Sequence, residues 1–265
     1  MDRRKIDHIL FIFDSRATFP YSNNVLQKLK KDKKFKYSTL VTGNYLDEKL
    51  GVGLNLFGKN KIHVTNKAKF LSSTSKKNSW PINLGRAIVE YSKQISKVKP
   101  DLIIITGDRI ETLAACITAT YLNIPIAHIH GGEVTVGAFD DSLRHSITKL
   151  SDYHFVSHKD YKKRVIQLGE NPHNVFNVGS LGIENILKTN LISRSKLFNK
   201  YNIPTNVKKI LVTFHPETKN KQAMKKQINI LLSALSLIND VFYIFTYSNT
   251  DPYGKYFIKK IISFS

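Results

Sequence analysis

The stretch TGDRIETLAACITATYLNIPIAHIHGGEVTVGAFDDSLR, residues 106–144, decides how this chain is read. Asp108, His128, His130, Glu133 and Asp140 fall at or near the ends of two consecutive predicted strands, with a Gly-Gly pair among them. Loops in that position carry the chemistry of open parallel sheets. Overlapping its start, LIIIT (102–106) is a fully apolar run of the kind buried on both faces of a parallel sheet.

Outward from there, strands and helices alternate. IDHILFIF (6–13) predicts a strand, the spacing of Val25, Leu26 and Leu29 a helix over 20–29, and FKYSTLVT (35–42) a second strand ending at Gly43. The polar segment 44–78 offers only a short strand at KIHVT (61–65). Trp80-Pro81 opens a long helix through Lys97, with Ile82, Leu84 or Gly85, Ile88, Val89 and Ile95 expected on one face. Beyond LIIIT the pattern predicts helices at 109–122, 138–150 and 159–168 and strands at 125–129, 152–157 and 174–178. Such alternation means an α/β fold: a doubly wound, Rossmann-like parallel-sheet domain, here spanning 1–183.

From 184 the chain turns polar and helical, then runs strand 208–214, helix 220–238, strand 241–247 and a short helix. Two strand and helix pairs are too few to close a core of their own. Residues 184–265 therefore read as the start of a second Rossmann-like domain, expected to be incomplete. The terminal FIKKIISFS, apolar and without a helix stop signal, agrees with an interrupted chain.

Composition excludes several classes. No run approaches the ~18–20 apolar residues of a membrane span. MDRRKIDHILFIFDS sets basic residues before an apolar run, as a signal peptide would. That run is short and β-branched, ends in Asp14 and precedes no small-residue cleavage site, so it reads as a strand. A single cysteine, Cys116, forms no internal disulfide and fits a reducing cytoplasm, the expected location. The net charge of +21 raises nucleic acid as a partner, through LKKDKKFK (29–36), NKAKF (66–70), SKKNS (75–79) and KNKQAMKKQ (219–227). The excess is lysine spread thinly along the chain, arginine is sparse, and no zinc spacing or helix-turn-helix signature accompanies it. No nucleic-acid partner is expected; a lysine-rich surface suits an anionic ligand equally well.

Each chemical motif carries two readings. Asp108, just after the Gly107 turn, is either the N-cap of the next helix or a carboxylate able to act as a base. HIHGGE (128–133) puts two imidazoles on one side of a strand end, because alternate residues share a face. A metal would need third and fourth ligands, which spacing alone does not supply, and none is expected. The Gly-Gly pair is read as letting a ligand approach the backbone. Asp140 and Asp141 suit the first turn of a helix, yet Asp140 and Arg144 also stand four apart on one face. Asp14-Ser15-Arg16-Ala17 offers backbone amides and a guanidinium to phosphate, and His215 closes the first strand of the later segment.

GDRIE (107–111), the run from Asn123 to Ser157, KRVIQLGENPHNVFNVGSLGIEN (163–185) and LVTFHPET (211–218) resemble the hydrolysing UDP-N-acetylglucosamine 2-epimerases. These enzymes begin sialic acid synthesis, and close relatives act on bacillosamine-type nucleotides for legionaminic acid. The resemblance implies a two-domain, glycosyltransferase-B-type fold with the UDP-sugar between its halves. It implies removal of the C2 proton, expulsion of UDP to leave a glycal, and hydration to N-acetylmannosamine, without cofactor. By motif, Asp108 and Asp140 become acid/base carboxylates, with His130 or Glu133 in the place of a third acid. Arg144 and His145 orient the site, His215 aids departure of the diphosphate and Arg16 holds phosphate. Arg109, Asp141, Ser180 and Asn249 complete the expected substrate contacts, and a full-length enzyme is expected to be a homo-dimer or tetramer. The chain departs from the family in reading DSRATF (14–19) for G-T-R-A-E-Y, in placing Tyr45 where TGxHL has histidine, and in lacking a Ser-rich UDP loop after FTYSNTD (245–251).

Overall fold

The computed structural model describes residues 5–15, 18–32, 34–46, 54–70, 79–216, 221–248 and 254–264. The chain divides into two compact units, one of residues 1–134 with 140–188, the other of 135–139 with 189–265.

The first unit is a parallel sheet of β1 (His8–Phe13), β2 (Lys36–Thr42), β3 (Asn66–Ala68), β4 (Leu102–Thr106), β5 (Ile126–Ile129), β6 (Tyr153–Val156) and β7 (Val175–Asn177). Their order is β3-β2-β1-β4-β5-β6-β7, with every pairing parallel. The order reverses between β1 and β4, and ligands of open α/β sheets bind outside the carboxyl ends of the strands at such a reversal.

Alternation along the strands feeds two cores. Leu10, Ile12, Leu40, Ile103, Ile105 and Ile126 face the layer of α3 (Ser79–Val98), α4 (Ile110–Tyr121) and α5 (Asp140–Lys149). Ile9, Phe11, Phe13, Val41, Ile104 and Ile129 face the layer of α1 (Phe19–Leu29) and α2 (Asn55–Lys59). β4 is buried at all five positions, with the Thr106 hydroxyl paired with Ser22 Oγ at 3.0 Å and the others buried as the apolar run 102–105 requires. Each such side chain contributes roughly 1.5–3 kcal/mol by burial, so Ile103→Ala would cost about 2–5 kcal/mol. Asp101 pins the two central strands at their amino ends, its Oδ2 accepting from the backbone N–H of Asp7 at 3.0 Å and His8 at 2.8 Å.

Three expectations are corrected here. KIHVT forms no strand among its described residues; β3 begins just after it, at Asn66, where pairing with Leu40–Thr42 becomes possible. The buried stripe of α3 is Asn83, Ala87, Tyr91 and Ile95, while Ile82 and Val89 are 55% and 56% exposed. Ile95 lies in that stripe and Leu84 and Ile88 pack beside it against the core, as expected; Ile82 and Val89 are the part of the expected face that turns outward. The helix after β4 begins at Ile110 with Arg109 as its N-cap residue, so Asp108 lies before the helix.

Two further helices, α6 (Lys159–Gln167) and α7 (Leu181–Lys188), complete this unit. α7 is held to α1 by Asn185, whose side-chain amide donates to the Pro20 carbonyl at 2.6 Å and whose oxygen accepts from Asn24. The second unit holds α8 (Arg194–Lys200), then β8 (Lys208–Val212), α9 (Lys221–Leu235), β9 (Val241–Phe245) and α10 (Gly254–Phe264). β8 and β9 pair in parallel, and Met224, Ile228, Leu232, Phe257 and Ile261 form a small core, so the two strand and helix pairs do close one of their own, against expectation. No described helix is long and apolar enough to cross a membrane.

Candidate active site

Thr106 is paired with Ile129, and the Gly107 N–H donates to the Ile129 carbonyl at 3.0 Å. The turn after β4 and the turn after β5 are thereby held side by side at the carboxyl edge. Asp108 leaves the first turn and His130 the second.

Asp108 caps nothing. Arg144, from the second turn of α5, donates to its Oδ2, and both side chains are largely buried, 21% and 8% exposed. Burial pushes the Asp108 carboxyl up to about 6, against the pull of Arg144; the Asp140 and Asp14 carboxylates push the same way, and Arg109 opposes them. A carboxyl near neutrality at a strand end exchanges protons at working pH, as general acid/base work requires. Asp140, the first residue of α5, and Arg144 share a helix face one turn apart, and both act on Asp108.

The two histidines of HIHGGE do not share a role, which corrects the expectation of paired imidazoles. β5 ends at Ile129, and His130 turns to a left-handed φ of 67°, breaking the alternation that would have put the rings on one side. His128 is wholly buried; its Nε2 lies 2.8 Å from the Gly107 carbonyl, which accepts, and Thr148 Oγ1 lies 3.4 Å from Nδ1. Burial drives its imidazole down to about 3, so it is neutral and holds the β4 turn in place. His130 instead meets Glu133, Nδ1 to Oε1 at 2.7 Å, and its ring packs 4.6 Å from that of Tyr21 in α1. Glu133 Oε1 also accepts from Ser157 Oγ at 3.0 Å. Burial works to raise the Glu133 carboxyl, but the His130 contact, Ser157 and Arg144 outweigh it and leave it below the usual range. No group of three metal-ligating side chains gathers among the described residues.

The Gly-Gly pair is likewise corrected. A Cβ on Gly132, whose φ is 78°, would stand 2.6 Å from the Tyr161 carbonyl oxygen, and one on Gly131 would stand 3.0 Å from His128 Nδ1. The backbone that approaches closely is the protein's own, from α6.

Of the other expected residues, Arg109 turns its Nε to Glu111 Oε2 at 3.3 Å, and His145 Nε2 lies 3.8 Å from Asp141 Oδ1. Ser180 accepts weakly from the Ile183 N–H at 3.5 Å at the start of α7. His215 follows β8 in the second unit and is exposed. Arg16 and Asn249 lie outside the described residues.

Sequence reasoning missed Tyr21 and Ser157, which nothing but their neighbours marks out. It also passed over Asp14 as a strand terminator. Asp14 is buried and accepts from Thr18 Oγ1 at 2.9 Å and Thr112 Oγ1 at 2.5 Å. Tyr45, the departure from TGxHL, is buried and donates to the Ser15 carbonyl at 2.5 Å, bracing the same loop.

Comparison with known proteins agrees with this fold. The chain is 34% identical over 254 residues to the GDP/UDP-N,N'-diacetylbacillosamine 2-epimerase (hydrolyzing) of Campylobacter jejuni, covering 96% of this chain and 65% of that one. It is 35% identical over 244 residues to a polysialic acid biosynthesis protein of Escherichia coli, covering 92% of this chain and 62% of that one. The chain thus spans a little under two thirds of the length of these relatives. In fold it superimposes on a UDP-GlcNAc 2-epimerase from Neisseria meningitidis bound to UDP-GlcNAc, with TM-score 0.78, 19% identity and coverage of 97% and 70% of the two chains. The S. aureus MnaA-UDP co-structure gives TM-score 0.76 at 19% identity, covering 97% and 66%. Residues 27–265 match the family model described as UDP-N-acetylglucosamine 2-epimerase. With the doubly wound sheet and the carboxylates at its switch point, that match places the chain: it belongs to the UDP-N-acetylglucosamine 2-epimerase family.

Proposed function

We propose that this chain carries the acid/base half of a hydrolysing UDP-sugar 2-epimerase, acting on UDP-N-acetylglucosamine. The observation that carries the reading is Asp108, a largely buried carboxyl raised to about 6 at the switch-point edge, paired with Arg144 and acted on by Asp140. Elimination across C1–C2 takes a proton from C2 while UDP leaves with the electron pair of the C1–O bond. Hydration returns a proton to C2 from the opposite face and adds hydroxyl at C1. Asp108, Asp140 and a third group, His130 or Glu133, share these transfers, and Arg144 keeps Asp108 from becoming too weak an acid. His215 and Arg16 are proposed for the diphosphate, with Arg109, Asp141, His145, Ser180 and Asn249 as further substrate contacts.

Incubation with UDP-N-acetylglucosamine in deuterated water tests this. Free UDP and N-acetylmannosamine carrying deuterium at C2 are expected, with Asp108→Asn at least about 100-fold slower. A C2 that keeps its protium, or an Asp108→Asn variant that is as fast, would sink the reading. The names of the C. jejuni relative and of a 29% identical Legionella pneumophila enzyme favour a second substrate, a UDP-N,N'-diacetylbacillosamine. Comparing kcat/KM for the two nucleotides decides between them.

A further inference from the structure

We propose that His130 and Glu133 act as one carboxylate–imidazole pair, in which Glu133 is a positioning residue that keeps the His130 proton on Nδ1 and so presents Nε2 to substrate as the third acid/base group. The proposal rests on the 2-epimerase reading of the site.

The carboxylate of Glu133 is committed by geometry. Its Oε1 receives both His130 Nδ1 at 2.7 Å and the Ser157 hydroxyl at 3.0 Å. A carboxylate holding two donors on one oxygen, below its usual range, is a poor proton shuttle and a good anchor. In neutral imidazole one nitrogen donates and the other accepts, so an Nδ1 that donates to a carboxylate leaves Nε2 the lone pair. The ring is fixed elsewhere as well. Tyr21 packs on it at 4.6 Å, and a Cβ on Gly182 would stand 3.1 Å from Tyr21 Cε1, so the tyrosine is itself backed by α7. The left-handed φ of 67° carries the ring away from His128. Nε2 of His130 is buried without a hydrogen-bond partner among the described protein groups. Buried polar atoms are nearly always satisfied, so one left over at a candidate site points to a ligand.

Inversion at C2 needs proton removal on one face and delivery on the other, hence two groups. Nε2 accepts the C2 proton as UDP departs with the C1–O electrons, and the imidazolium forms beside the Glu133 carboxylate. A carboxyl of Asp108 or Asp140 gives a proton to the opposite face of C2 as water adds to C1, and recovers one from that water. The imidazolium then releases its proton to solvent, and both groups return to their starting states.

Ring-15N correlation spectra and steady-state rates test the pair together, in the wild type, Glu133→Gln, Glu133→Asp and His130→Glu. The wild type is expected to show His130 protonated at Nδ1. Glu133→Gln should abolish that preference and lower kcat by about 10²–10⁴-fold with KM changed less than about threefold, and Glu133→Asp should recover part of both. In the His130→Glu background, which has no imidazole to orient, adding Glu133→Gln should cost less than about threefold. An unchanged tautomer in Glu133→Gln overturns the proposal whether or not UDP is released. So does an equal loss of kcat in both backgrounds, which would make Glu133 a direct participant. Absence of UDP release from the wild type would instead remove the epimerase reading, while the tautomer still reports on the pair.

Discussion

Arg144 holds the Asp108 carboxyl down. Its guanidinium is nearly buried and meets Asp108, whose environment otherwise favours the neutral acid. Replacing Arg144 by Gln removes the main charge holding that carboxyl down. The Asp108 carboxyl should rise by about 1 to 3 pH units above about 6, read from its 13C shift against pH, and the matching limb of the pH–rate profile should move the same way. An unmoved titration would mean that Arg144 serves only to build the loop. These roles were legible in part. Asp and Arg four apart at a helix start announce a shared face, but whether Asp108 capped the helix depended on where α4 began, and propensity leaves that open by a residue or two. The two histidines were misread for a related reason: the strand was placed as ending at Ile129, yet its alternation was carried one residue further to His130, whose left-handed φ breaks it.

At the level of elements, the turn after β5 is gripped by α6. Arg164 donates to the Gly132 carbonyl, and the Tyr161 carbonyl and Val165 occupy the space a side chain would need. Gly132→Ala should therefore destabilise by roughly 1–3 kcal/mol or more, seen as a lower urea midpoint. Gly107→Ala, with a φ of 84° but no neighbour within 4 Å of its Cβ, should lose less. Equal losses would show that backbone conformation, not packing against α6, makes the glycine necessary. Element order was the most readable feature of this chain, because LIIIT and its neighbours combine strand length, β-branching and full burial. β3 and the facing of α3 were not. Three residues carry too little pattern to set a boundary, and α3 is apolar on more than one side, so only the sheet's shape chooses which side is covered.

Across the whole molecule, buried neutral histidines tie stability to pH. His128 and His154 are register partners on β5 and β6, both fully buried, with burial lowering each. His128 titrates at about 3 when folded and near 6.5 otherwise, so the unfolded chain binds the extra proton between those values. Stability should be complete above about 6.5 and fall as pH drops, by at most about 1.4 kcal/mol per unit for this residue. Asp108 works the other way below about 6, since its folded form holds a proton that the unfolded carboxyl has given up, and partly offsets the loss. Melting temperatures between pH 7.5 and 4.5 should show the decline, with a shallower slope in His128→Gln; parallel slopes would exclude His128 as its source.

The strand order also has a consequence in time. Ribosomal synthesis delivers β1, β2 and β3 first, so the partner of β1 at residues 36–41 is made before its other neighbour at 102–104 exists. From β4 onward, β5, β6 and β7 follow in chain order outward on the same flank. Asp108 is thus delivered before His130, and His130 before Arg144. The candidate site is laid down in the order of the chain, with Ser157 and α6 added after α5.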